Sequence, residues 1–567
     1  MTEPTRAPPA TVIALVAITL LACGLAASTW SVFGHTWDEP EHLAAGMALL
    51  DRGRYDYDIQ HPPLARLALA LGPYLAGARS QGSPPPDGRP EGVAILYRGG
   101  HYDRYLTLAR AGALPFLALL VITTYVFARP VVSRGGALLA TAFVATTPVV
   151  LGHGALATLD VPGAATCLLA LCAARRWLRT GRFRDALWLG LAVGLAVGTK
   201  LSAIPFVALG GLALAGVSTL ERGSGAAAPA PRPSQWAGGL LIAGLVTAAV
   251  LTAAYGGRFV YLTDETGRYN QALSYLFGYA GPVHDAAYAV AARVKVPEAF
   301  QLIVGGIEAL SVHNRAGHAS YLFGEIRNLG WWYFYLVALA VKTPLPLLLL
   351  GLPGLALLAR DGITTPNAAR LAAPALFIVL LAFCSLYSHI NIGVRHVLVL
   401  YPLLAVGAAA SVVRLWAWIR AQRAWAARSA MGAALGALLL WQAAAIVRSW
   451  PDYLPYFNEL VTEPRAVLVD SDLDWGQDLK RLTLRLAALR VPSVSLAYLG
   501  TADLTREPLP PYVLLKPDEQ ATGWIAVSAL ARVRAPQRFA WLDAYRPRER
   551  VGTSIDLYFV PPPPQAP

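Results

Sequence analysis

Charge and cysteine are both scarce in this chain: 14% of its 567 residues are charged and four are cysteine. Cys23, Cys167, Cys172 and Cys384 all fall inside apolar runs, without disulfide or metal-ligand spacing, which reads as inert packing. No Gly-rich phosphate loop of the Gly-x-x-x-x-Gly-Lys-Ser/Thr kind occurs, and no repeat of soluble-array length, so an ATP-driven motor and a solenoid are set aside. What the chain has instead is apolar residue: 56% is hydrophobic, more than a soluble fold can hide. The formal net charge of +13 does not point to nucleic acid, because the arginines stand in short clusters between apolar runs rather than on one face.

Stretches long enough to span a bilayer lie near 11–33, 105–128, 136–152, 156–176, 185–199, 201–220, 237–257, 331–358, 371–388, 394–417 and 429–448, which predicts about eleven transmembrane helices. The first is too long for a signal-peptide core and reads as a retained helix. Lys and Arg resist translocation, so the clusters at Arg175–Arg184 and Arg414–Arg428 mark the inner side. That places the N-terminus in the cytoplasm and, with an odd number of spans, the C-terminal region outside. The expected location is the cell (inner) membrane, crossed many times. Residues 1–448 form the transmembrane domain, with outer loops at 34–104 and 258–330. Residues 449–567 form an extracytoplasmic domain, read as small and α/β from the alternation in Ser493–Tyr498 and Gly523–Val527 and the helical pattern at 476–490. The segment 222–235 reads as an inner Gly/Ala/Pro linker.

Outside the basic inner loops, the ionisable residues near helix ends gather on the outer face. They are Asp38, Glu39 and His61 after the first span, Asp160 before the fourth, Lys200 between the fifth and sixth, and Arg395 with His396 before the tenth. A charge at membrane depth is costly unless it faces a cavity or a partner, so their coincidence on one side suggests one polar site. Each has a plainer reading. Asp38 and Asp160 both stand where a helix N-cap belongs, Lys200 is able to snorkel, and the prolines of His61-Pro62-Pro63 suit a simple re-entry turn. His42, four residues after Asp38, shares its face on a helix, or is a satisfied surface histidine. Arg395 and His396 suit an anionic group through charge-assisted hydrogen bonds. The acidic run Asp470–Asp478 is like a calcium loop, but its glycine is one place late and Arg481 stands where a bidentate Glu belongs. His313 and His318, five apart, read as a solvated or hydrogen-bonded pair.

Trp37-Asp38-Glu39 with His61-Pro62-Pro63-Leu64 resembles the first outer loop of lipid-carrier-dependent glycosyltransferases, the protein O-mannosyltransferases and their bacterial aminoarabinose-transferase relatives. Thr158-Leu159-Asp160 and Gly198-Thr199-Lys200 are similar to the second acidic motif and the outer lysine of that superfamily. Tyr321–Gly324, Gly330–Tyr333, Val341–Pro346, Asn391–His396 and Leu473–Asp478 resemble a bacterial branch of family 39 glycosyltransferases. The resemblance implies a GT-C fold and a sugar donor linked to a polyprenyl phosphate. Asp38 would deprotonate a hydroxyl acceptor, with Glu39 and Asp160 positioning acceptor or donor. Lys200 and Arg395, helped by His396, would neutralise the departing phosphate. His61, where aminoarabinose transferases carry lysine, is as in the O-mannosyltransferases, whose large eukaryotic insertion is absent. Attack on the anomeric carbon with a base on one face and cations on the other predicts an inverting, metal-independent transfer without a cofactor. The alternatives are a transporter or flippase for an envelope lipid or glycan, with charges at mid-membrane depth, and a non-catalytic envelope scaffold.

Overall fold

A computed structural model describes residues 8–223, 232–263, 280–365, 367–516 and 519–562. Most of the proposed inner linker lies outside them. The chain is a multi-pass membrane protein built from helices, with a small sheet near its C-terminus. Among the described residues, eight helices are long and apolar enough to cross a membrane: Pro9–Ala27, Tyr102–Ala128, Ala203–Gly223, Pro233–Ala254, Leu345–Thr364, Ala368–Tyr387, Leu400–Ala421 and Trp425–Ser449. Arg134–Ala145 and Pro148–Gly154, bent by 63° at their junction, would make a ninth.

Two of the expected eleven have physical reasons to fall short. Asp160–Thr180 carries Arg175, Arg176 and Arg179 in its last turns, and Phe183–Thr199 has 17 residues. The expected span 331–358 is broken: Phe334–Lys342 ends before Thr343-Pro344, and a new helix runs from Leu345. Proline lacks the amide that would continue the ladder.

The bundle is held partly by small residues. A Cβ on Gly354 would lie 1.8 Å from the Gly407 carbonyl, so Leu345–Thr364 and Leu400–Ala421 touch backbone to backbone. The first outer loop folds into helices α1 (Glu39–Arg52), α2 (Pro63–Leu75) and α3 (Arg89–Tyr97). Gly46 lets α1 meet the Arg66 carbonyl of α2, and Gly92 lets α3 meet the Pro40 carbonyl of α1; a Cβ on either would overlap them. The second outer region holds a two-stranded antiparallel sheet, β1 (Phe259–Tyr261) with β2 (Lys295–Pro297), and a 19-residue helix, Glu298–Ala316.

The C-terminal sheet has five strands: β3 (Val494–Ala497), β4 (Tyr512–Leu514), β5 (Gly523–Ser528), β6 (Glu549–Val551) and β7 (Ile555–Val560), in the order β4-β3-β5-β7-β6. The first three are parallel and the last two antiparallel to their neighbours. Helix Leu479–Ala488 covers one face through Leu479, Leu482 and Leu486, against Val494, Leu496, Ala526 and Leu557.

Candidate active site

Four charged side chains from four separate parts of the chain join in a line. Asp38 precedes α1, yet its side chain makes no cap hydrogen bond. It accepts instead from Arg395 Nη1 at 2.7 Å. The same nitrogen lies 3.6 Å from Asp160 Oδ2, and Asp160 Oδ1 accepts from Lys200 Nζ at 2.7 Å. The capping reading of Asp38 gives way to an ion pair, and Lys200 does not snorkel outward but lays its stem over Gly163, whose Cβ would be 3.0 Å from Lys200 Cδ.

Two carboxylates and two cations make the line neutral, so an arriving anion must compete with the carboxylates for Arg395 and Lys200. Hydrogen-bonding capacity is left over: Arg395 Nε and Asp160 Oδ2 are buried without a hydrogen-bond partner among the described residues. A narrow pocket opens here. Asp160, Lys200, Arg395 and His396 supply its polar lining, while Cys167, Phe206 and Val399 supply apolar lining. His396 also stacks on Tyr335 with ring centroids 6.3 Å apart.

Glu39 points the other way. It is 1% exposed and its carboxylate oxygens are fully engaged. Oε1 accepts from Arg110 Nε and the Ala157 amide, both at 2.8 Å. Oε2 accepts from Arg110 Nη2 at 2.9 Å and the Thr36 amide at 2.8 Å. Burial alone would raise its pKa, but Arg110 and the two amides hold it below the ordinary value. No oxygen is left for substrate. Glu39 ties the loop bearing Asp38 to the loop leading into Asp160.

The two expected positioning histidines meet around Arg66. His42 is buried, not at the surface, and its Nδ1 accepts from Arg66 Nε at 3.2 Å rather than facing Asp38. Its ring lies 5.6 Å from that of His61. Arg66 Nη1 also donates to the Asp58 carbonyl at 2.8 Å and the His61 carbonyl at 3.2 Å, and its Nη2 pairs with the Asp58 carboxylate. Burial pushes both histidine pKa values down, with Arg66 adding to the effect and the Asp58 carboxylate opposing it.

Glu41, one turn beyond Asp38, forms no hydrogen bond or ion pair among the described residues. Burial first, then the negative charge of Asp58 and Asp38, pushes its pKa up to about 7 against the opposing pull of Arg66 and Arg89. The folded chain therefore holds this proton after the unfolded chain has released it. The contribution of Glu41 to stability falls as pH rises from about 4.5 to about 7. Glu41→Gln should raise the thermal midpoint at pH 8 and leave it nearly unchanged at pH 4.5, as measured by scanning fluorimetry in detergent.

The calcium-like acidic run roofs the site. The Trp37 amide donates to the Trp475 carbonyl at 2.9 Å and the Gly34 amide to the Gln477 carbonyl at 3.0 Å, which splices this run to the first outer loop. The guanidinium of Arg395 sits 4.3 Å from the centroid of the Trp475 ring, a cation–π contact. Asp472 Oδ1 accepts from the Val394 amide at 3.1 Å, and its carbonyl accepts from the buried Lys342 Nζ at 2.6 Å. Asp474 accepts from the Leu530 amide at 2.7 Å, and Asp478 from Ser554 Oγ at 2.8 Å. Burial pushes the Asp472 and Asp474 carboxyls up to about 6. Their partners are backbone amides, a serine, a lysine and, for Asp478, Arg481 Nη1 at 3.1 Å, and the run links bundle to sheet. Of the remaining histidines, His313 and His318 bond to each other, 3.3 Å apart.

Arg66, Arg110, Lys342 and Trp475 were not singled out by the sequence. An arginine at the start of the apolar run 105–128 and a lysine inside 331–358 were the available signals, since neither charge is tolerated there without a partner.

Residues 108–222 match the family "Dolichyl-phosphate-mannose-protein mannosyltransferase". The matched segment contains Arg110, Asp160 and Lys200. A search of curated proteins gives no match. Among solved structures, the chain is similar to ArnT from Cupriavidus metallidurans bound to undecaprenyl phosphate, at 13% identity and a TM-score of 0.47, covering 97% of this chain and 98% of that one. It is also similar to the archaeal oligosaccharyltransferase AglB from Archaeoglobus fulgidus, in complex with an inhibitory peptide and a dolichol-phosphate, at 14% identity and a TM-score of 0.45. That match covers 79% of this chain, which spans 57% of the length of AglB. Likeness at these scores assigns nothing to individual residues.

Proposed function

We propose that this chain is a membrane glycosyltransferase that moves a sugar from a polyprenyl-phosphate carrier to a hydroxyl acceptor, a glycan, lipid or protein, with inversion. The observation that carries it is the neutral line Asp38–Arg395–Asp160–Lys200 at a pocket lined by both cations and apolar side chains. A lipid-borne phosphate matches both parts of that lining. The family match across 108–222, which includes Asp160 and Lys200, supports the same reading.

In this mechanism the donor phosphate draws Arg395 and Lys200 onto itself, and Asp38 loses its cation just as it is needed to accept a proton. The acceptor oxygen attacks the anomeric carbon, its proton passes to Asp38, and the bond from carbon to phosphate oxygen breaks. The electron pair stays on the polyprenyl phosphate, held by Arg395 and Lys200. Asp160 keeps the two cations aligned, and His396 lines the same pocket. His61 and His42 shape the wall on the acceptor side, and Glu39 braces it. No step calls for a metal or a cofactor.

The basic clusters at the opposite ends of the helices support an outward-facing site, a cytoplasmic N-terminus and an extracytoplasmic domain at 449–567. Incubating purified protein with labelled polyprenyl-phosphate sugars and identifying products by mass spectrometry tests the reading; transfer only from nucleotide sugars would overturn it. Lys200→Met removes one charge-assisted hydrogen bond to phosphate, worth about 1.5–3 kcal/mol, so the donor KM should rise roughly ten- to hundredfold. The acceptor KM should not follow.

A further inference from the structure

Helix Glu298–Ala316 is attached to the bundle at its start, middle and end, each time at the end of a membrane span. At its start, Ala299, Leu302 and Ile303 pack with Leu251 and Tyr255, where Pro233–Ala254 finishes. Gln301 Nε2 donates to the Tyr261 carbonyl of β1 at 2.6 Å. In its middle, a Cβ on Gly306 would lie 2.5 Å from the Ile59 carbonyl and 2.8 Å from Leu201 Cδ1. Leu201 belongs to the link between Phe183–Thr199 and Ala203–Gly223. At its end, Asn314 Nδ2 donates to the carbonyl of Tyr387, the last residue of its span, at 3.0 Å, and the His389 amide donates back to Asn314 Oδ1 at 2.9 Å. A helix of 19 residues is about 28 Å long, enough to cross the ends of several helices. Three attachments at span ends lay it flat at the membrane boundary.

The spans it crosses lie on the perimeter. Pro233–Ala254 buries only Gly239, Ala243 and Ala254, and Leu212, Leu220, Ile378 and Leu386 of the others are exposed. Along the flat helix Phe300, Ile307 and Val312 are 56%, 41% and 51% exposed. Phe259 and Tyr261 of the neighbouring two-stranded sheet are exposed too, with Lys295 Nζ 5.0 Å from the Tyr261 ring centroid and Arg258 and Arg315 close by in the chain. Apart from one exposed carboxylate, Glu308, these are apolar and aromatic side chains interspersed with basic ones at the level where spans end, the composition of a headgroup boundary.

We propose that helix Glu298–Ala316 is an interfacial element whose exposed apolar side lies in the outer-leaflet boundary between headgroups and acyl chains. The inference rests on the membrane reading of the bundle. The helix's opposite, buried side packs through Gly306 on Leu201 and Ile59, the neighbours of Lys200 and of the His61 loop.

The test places p-benzoylphenylalanine singly at Phe300, Ile307 and Val312 in the full chain, reconstituted in nanodiscs of phosphatidylethanolamine and phosphatidylglycerol. Leu386 in a span and Val513 in the C-terminal sheet, both exposed, serve as references. After irradiation, intact mass spectrometry should find an added phospholipid at the three helix positions with a yield near that at Leu386 and well above that at Val513. Yields no higher than at Val513 overturn the proposal, as do crosslinked dimers in place of lipid adducts. If Leu386 also gives no adduct, it is the membrane reading of the bundle that fails.

Discussion

An Asp38→Asn variant is expected to lose sugar transfer by roughly 10²–10⁴-fold in kcat, the range for removing a general base. Its donor KM should stay the same or fall. Asparagine keeps the shape and one acceptor oxygen for Arg395 Nη1, and Asp160 remains 3.6 Å from that nitrogen, so the guanidinium keeps its place. What disappears is the ability to take a proton, together with the negative charge that competes with the incoming phosphate for Arg395. A lower kcat with donor affinity retained or improved is the pattern of an interaction needed only in the transition state. A transporter or scaffold in which Asp38 merely anchors a loop would lose nothing in chemistry. Equal transfer by Asp38→Asn and the parent chain, measured with a lipid-linked labelled sugar, would remove the base from the mechanism.

The membrane architecture was legible because a bilayer demands long apolar runs, and such runs survive in one dimension. The one-sided gathering of Asp38, Asp160, Lys200 and Arg395 was legible too, since helix order alone fixes which ends lie together. Their pairing was not. Asp38 and Arg395 are 357 positions apart, and no local rule says that the cation expected to serve phosphate first serves the base. Nor does adjacency separate Asp38 from Glu39. Successive residues at a helix start point in directions roughly 100° apart, so one reaches Arg395 while its neighbour turns into the core. The work of the run Asp470–Asp478 as a splice depends on backbone amides of Trp37 and Gly34, which carry no sequence signature. The Thr343-Pro344 break passed unnoticed inside an apolar run, though Lys342 marked the place where the chain had to find a partner.

The second large effect falls on stability rather than chemistry. Glu39→Ala leaves Arg110 with three carbonyls, Trp30 at 3.3 Å, Phe33 at 3.2 Å and Gly34 at 2.7 Å, but no counter-charge, in a place where both side chains are 1% exposed. It also orphans the amides of Thr36 and Ala157. Removing one partner of a buried pair costs about 3–5 kcal/mol, so the thermal midpoint should fall sharply, and transfer with it, because Ala157 leads into Asp160. Adding Arg110→Met should restore part of the stability, since the uncompensated charge then leaves as well. The double variant should therefore be less damaged than the sum of the single ones, a coupling a double-mutant cycle reads directly. Asp38→Asn, by contrast, should keep its midpoint while losing turnover. Were Glu39→Ala to melt like the parent chain and yet transfer no sugar, Glu39 would be acting on substrate, and the division between a base and its brace would have to be redrawn.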